Sequence, residues 1–246
     1  MDRMLYVAMT GAKQTMIAQS INNHNLANVS TTGFRADLNT FLSVPVEGQG
    51  LPSRVNVVAR TPASDFTPGQ INSTGRELDM AVKGDGWIAV QASNGTEAYT
   101  RAGDLRIGTG GLLTNGAGYP VIGNGGPIVI PPSEKLEIGV DGTISIRPVG
   151  QAVKALVSVD QIKLVNPPLS TLVKGEDGLM RTRDGVPAIA DFNTALISGA
   201  LESSNVNPVD ALVKQITLSR QFEIQVKAMK AVDENASMTS RMMSLN

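Results

Sequence analysis

The chain of 246 residues contains no cysteine, which excludes disulfides, thiolate nucleophiles and cysteine-held metals. Histidine occurs once, at His24, so no His-Glu-x-x-His zinc site is present. Aromatic residues make up 4% of the chain, fewer rings than a compact enzyme uses to wall a pocket. Charge is equally scarce in one sign. The 21 Lys and Arg nearly cancel the 22 Asp and Glu, and a net charge of −1 sets up no field for nucleic acid or an anionic membrane. No apolar run approaches the length that crosses a bilayer. The opening Met1-Asp2-Arg3-Met4-Leu5-Tyr6-Val7-Ala8-Met9-Thr10 is soon followed by Lys13, Gln14 and Gln19, without a small-residue cleavage site, so no cleaved secretory leader is expected. What remains is a globular composition, 41% hydrophobic, whose expected partners are proteins or uncharged ligands.

The two ends read as helices. Residues 3–27 lack proline and carry only Gly11, and Leu5, Ala8, Ala12, Met16 and Leu26 recur on a roughly helical period. The stripe is thin, because Gln19, Asn22 and Asn23 stand where a strong coiled coil places leucine. The other end begins at Asn207-Pro208-Val209-Asp210, an Asn cap with proline and an acid in the first turn. Val209, Leu212, Val213 and Ile216, then Phe222, Val226, Met229, Val232 and Ala236, continue at helical spacing. No Gly or Pro follows Pro208, so a single helix of about 35 residues, roughly 50 Å, is expected. Such a length belongs to a coiled coil or a bundle. Neither helix has an apolar face broad enough to stand alone. They must pack on each other, on the middle of the chain, or on neighbouring copies.

Between the ends the period falls to two. Val153, Ala155, Val157 and Val159 predict a half-buried strand, and the shift of parity to Ile162 and Leu164 predicts a bulge near Asp160-Gln161. Runs such as Trp87-Ile88-Ala89-Val90 and Pro127-Ile128-Val129-Ile130 are separated by turn signals at Asn94-Gly95, Gly110-Gly111, Asn115-Gly116, Gly125-Gly126 and Asp141-Gly142. The reading is an α+β chain: 1–35 helical, 36–75 an extended connector, 76–185 a central antiparallel barrel or sandwich, 186–206 a returning connector, and 207–246 helical and paired with the first helix in coiled-coil fashion.

Catalytic patterns are missing. There is no Gly-x-Ser-x-Gly and no phosphate loop. Gly84-Asp85-Gly86 and Gly123-Asn124-Gly125-Gly126 fit hairpin turns, Glu176-Asp177 fits a solvated turn, and Asp141-Gly142 lacks the further acids of a calcium loop. No catalytic, cofactor or metal residue is assigned. A glycan-binding or glycan-cleaving β domain remains the alternative from a different class; it has no use for long terminal helices.

The segment Asn23-His24-Asn25-Leu26-Ala27-Asn28-Val29-Ser30-Thr31-Thr32-Gly33-Phe34-Arg35 resembles the signature that flagellar rod and hook proteins carry at the end of their first helix. Asn23-His24 stands where that signature usually has Ala-Asn. Leu201-Glu202-Ser203-Ser204-Asn205-Val206 with Arg220-Gln221-Phe222-Glu223 resembles their C-terminal signature, and Gly75-Arg76-Glu77-Leu78-Asp79-Met80-Ala81-Val82 with Tyr99-Thr100-Arg101-Ala102-Gly103 their central domain. The opening residues and the modest length resemble the proximal rod members, with distal rod or hook subunits as alternatives. The resemblance implies a structural subunit of the rod, located in the basal body within the periplasmic space. It implies export by the flagellar type III apparatus without a cleaved leader, and assembly with copies of itself, proximal rod neighbours and the distal rod protein. Terminal helices would form the inner tube and the β domain would lie outside.

On that resemblance, the expected assembly residues fall in three groups. Asn22, Asn25 and Asn28, spaced by three near the end of the first helix, are expected to cap carbonyls and fix register, with Leu26 beside them. Gly33 is expected at positive φ, turning the chain so that Phe34 anchors the connector. Val209, Leu212, Val213, Ile216, Phe222, Val226 and Met229 form the expected contact stripe, part of it packed on the first helix.

Overall fold

The computed structural model describes residues 3–45, 55–148 and 156–244. The architecture is α+β, with one helix at each end of a strand-rich middle. Two compact units result. The first joins residues 1–28, 37–65 and 206–246; the second joins 29–36 and 66–205.

In the helical unit, helix α1 (Arg3–Ala27) and helix α2 (Pro208–Ser244) lie side by side and antiparallel. Asn207 caps α2 as its sequence predicts, its Oδ1 accepting from the Val209 amide at 3.0 Å. The hairpin Asp37–Pro45 with Val55–Ser64 completes this unit. These strands fall within the stretch expected as an extended connector. The Pro and Ser content of that stretch hides the pairing.

The second unit is built on a five-stranded antiparallel sheet, in the order Leu164–Val165, Trp87–Gln91, Glu97–Thr100, Met180–Thr182, Leu172–Lys174. Trp87–Gln91 is covered on both faces, which is why its apolar run does not alternate. Ile88 and Val90 face one hydrophobic cluster, while Trp87 and Ala89 face another that includes Tyr99 and Met180. A three-stranded sheet closes over the larger cluster. Its strands Ser133–Ile138 and Thr143–Pro148 pair Ile138 with Ile144 and Leu136 with Ile146, all buried, while the intervening residues turn outward.

The third strand of that sheet, Val157–Gln161, departs from expectation. Val157 and Val159 are exposed rather than half-buried, because the strand lies at the edge of its sheet. The register slips between the pairs Ile144–Asp160 and Ser145–Ser158, leaving Val159 as the bulge, next to where the parity change puts it. Val153 and Ala155 lie outside the described residues.

The remainder of the connector expected at 36–75, residues 66–75, and residues 186–205 of the returning connector are also part of this unit. Ile71–Ser73 pairs with Ala200–Glu202, and Ala195–Ser198 with Met80–Lys83. The Ala188 amide donates to the Tyr99 hydroxyl at 2.6 Å, and burial pushes that phenol up to about 12.

Trp87, the chain's one tryptophan, reports on this core. Ile128 is fully buried and Ile189 is 90% exposed. We expect Ile128→Ala to lower the unfolding free energy by about 2–5 kcal/mol in urea titrations followed by tryptophan fluorescence. Ile189→Ala should stay within about 0.5 kcal/mol of the parent.

Candidate functional site

The face that α1 turns to α2 is made of small and polar residues: Ala8, Ala12, Thr15, Ala18 and Asn22 are buried along it. Small side chains let the backbones approach closely. A Cβ on Gly11 would sit 3.0 Å from Cδ of Gln225. Gln19 and Ser219 face each other at 3.5 Å, and Asn22 Nδ2 donates to the Ala211 carbonyl at 2.8 Å and to Gln215 Oε1 at 3.1 Å. By that register Arg3 stands opposite Asp233–Glu234. Residues 235–244 of α2 therefore run on for about 15 Å past the described start of α1.

The other two asparagines work locally. Asn25 brackets Asp37, accepting from its amide at 2.8 Å and donating to its carbonyl at 2.9 Å, while His24 Nδ1 lies 2.9 Å from the Asp37 carboxylate. Asn28 closes α1 by donating to the His24 carbonyl at 2.9 Å. The hydrogen bonds described for all three are thus within the chain. Leu26, beside them, is half-buried.

The α2 stripe divides. Ala211, Leu218 and Val232 are buried toward α1, with Phe222, Val226 and Met229 half-buried on the same flank. At about 100° per residue, Val209, Val213, Ile216, Met238 and Met242 project from the opposite side, and each is more than half exposed; Leu212 and Ile224, also more than half exposed, border them. The helix thus has apolar residues on two opposed sides. The residues read from the sequence as one stripe therefore divide between these two sides. Tyr6, Met9 and Met16 are likewise exposed on the side of α1 turned from the seam.

Gly33 and Phe34 belong to the β unit. Gly33 takes φ 65, and its amide donates to the Glu202 carbonyl at 2.8 Å. A Cβ there would meet the Arg101 carbonyl carbon at 2.3 Å, so conformation and space both require glycine. Phe34 is buried under Lys174, whose Nζ lies 4.0 Å from the ring centroid.

Beside them is a group the sequence reading missed. Glu202, 1% exposed, bonds Arg35 Nη1 at 2.7 Å and Arg101 Nη1 at 3.0 Å. Both arginines are buried, and their guanidinium carbons lie 5.8 Å and 5.3 Å from the Trp87 ring. The Gly69 amide donates to the same carboxylate, and the Thr67 and Gly84 carbonyls accept from the two guanidiniums. Burial lowers the pKa of Arg101, opposed by Glu202. Each member is the charged residue of its segment in one of the three signature stretches: Gly33-Phe34-Arg35, Tyr99-Thr100-Arg101-Ala102-Gly103 and Leu201-Glu202-Ser203-Ser204. That was the signal available.

The chain matches three family profiles: Flagella basal body rod protein over residues 5–35, Flagellar hook protein FlgE/F/G D1 domain over 81–146, and Flagellar basal body rod FlgEFG protein C-terminal over 197–242. It is 42% identical to the flagellar basal-body rod protein FlgF of Salmonella typhimurium, and 42% identical to that of Escherichia coli, over the full length of both chains in each case. The chain belongs to the flagellar basal-body rod protein family. It is FlgF-like within it, since FlgG of Bacillus subtilis is 31% identical over 95% of the chain. This rod protein is therefore a structural subunit of the basal body and not an enzyme, and it assembles with other rod components.

The Asn22 bonds are shorter than the Gln19–Ser219 contact in the same seam. Asn22→Ala should cost the helix pair about 1–2 kcal/mol, read as an earlier loss of helical circular dichroism on heating.

Proposed function

We propose that this rod subunit assembles through the outward side of α2, together with the outward side of α1, and that neighbouring subunits cover both. The observation that carries the reading is the pair of apolar sides on α2, of which α1 covers one. Apolar residues on the uncovered side stay in water until a neighbour packs on them. Burial of each such side chain contributes roughly 1.5–3 kcal/mol, repeated at every equivalent contact of a polymer.

The seam itself is read as coiled-coil-like. Ala211, Gln215, Leu218, Phe222, Gln225, Met229 and Val232 follow alternating spacings of four and three. Where Gly11 lacks a side chain, a shallow groove opens beside Gln14, Leu218, Gln221 and Ile224, able to take a side chain from a neighbour. The β unit, its sheets layered in the manner of a sandwich, is assigned to the outside of the rod. Delivery by the flagellar export apparatus to the periplasmic space, and contact with the distal rod protein as well as copies of itself, rest on family membership. Identity favours a FlgF-like position over a distal one.

Ile216→Asp separates folding from assembly, because Ile216 is exposed and α1 does not touch its side of α2. The purified variant should melt within about 0.5 kcal/mol of the parent. In a strain lacking the parent subunit it should leave swimming haloes absent and basal bodies without complete rods. Normal swimming would remove the outward side from the interface.

A further inference from the structure

We propose that Glu202 is a two-way latch: one buried carboxylate holds both the segment that follows α1 and the strand that precedes α2 on the β unit, so that the two are released together. Each segment otherwise has its own attachments. Ala200–Glu202 pairs with Ile71–Ser73, and the Ser203 amide donates to the Gln70 carbonyl at 2.8 Å. The segment after α1 is held at Gly33 by the Glu202 carbonyl, and at Ala36 by Asn205 Oδ1 at 2.8 Å. The Asn205 amide returns a bond to the Phe34 carbonyl at 3.3 Å. These cross-links tie the two segments to each other as well as to the unit.

Charge sets how strongly they are tied. Glu202 is the one carboxylate bonded to either buried guanidinium among the described residues; the other oxygens reaching Arg35 and Arg101 are backbone carbonyls. Arg35 Nε and Nη2 and Arg101 Nε have no hydrogen-bond partner; Asp85 also attracts the Arg101 charge, more weakly than Glu202 does. Without the carboxylate, two cations remain in a buried site beside Trp87, a state that is relieved by bringing Arg35 into water. Arg35 moves only if the chain from Gly33 to Ala36 moves with it. That movement also withdraws the Phe34 carbonyl from Asn205. The close approach of Gly69 to the returning strand, where a Cβ would lie 1.9 Å from the Ser203 carbonyl oxygen, leaves that strand no room to shift without detaching.

Hydrogen exchange of the full chain tests the latch. In Glu202→Gln, which keeps the shape and removes the charge, the amides of Gly33, Ala36, Ser203 and Asn205 should exchange about 100-fold faster or more, all by a similar factor. The Gln91 and Ile128 amides of the core should keep their protection. In the parent chain at rising urea, the same four amides should merge on one opening isotherm below that of the core. Acceleration of one segment alone, of neither, or of the core amides as well would overturn the proposal. So would separate isotherms in the parent.

Discussion

A helix can be satisfied on one side by its partner within the chain and still be incomplete. In α2 the side bearing Ala211, Leu218 and Val232 is closed by the small residues of α1, while Val213, Ile216 and Met238 stand in water on the other. Small residues in the seam have two effects. They bring the backbones close enough for Asn22 to reach the Ala211 carbonyl, and they bury little apolar area. The pair is consequently held in register more firmly than it is held together. A shortfall of that kind is what a subunit needs if its neighbours are to supply the rest.

The β unit is in the opposite condition. Two hydrophobic clusters fill both faces of its central sheet, and its ends are fastened by charge. Replacing such an ion group with apolar residues is often no loss in stability, whereas deleting one member is costly. Its value therefore lies in specificity. Glu202 bonds Arg35 and Arg101 together, which sets the two chain segments beside one another.

Much of this was legible in the sequence because local chemistry determined it. The Asn207-Pro208 cap starts α2, Gly33 turns at φ 65, and the glycine turns at Gly95, Gly126 and Gly142 take positive φ. The family signatures were legible for the same reason, being contiguous. What was hidden is non-local. The pairing of Asp37–Pro45 with Val55–Ser64 joins residues far apart along the chain, and composition alone reads the stretch as a connector. The side of α2 that faces α1 depends on which residues are opposite, so one stripe in the sequence became two sides in the structure. The ion group was hidden most completely, since its members lie 66 and 101 residues apart along the chain and none forms a motif with another.

The claim at the centre is that the outward side of α2 is open in the free subunit and closed in the rod. The absence of native cysteine makes this directly measurable. A Val213→Cys variant should react rapidly with a maleimide as purified protein and become protected in isolated basal bodies. An Ala211→Cys control should react slowly in both. Equal, rapid labelling of the Val213→Cys variant in free protein and assembled rods would contradict the account.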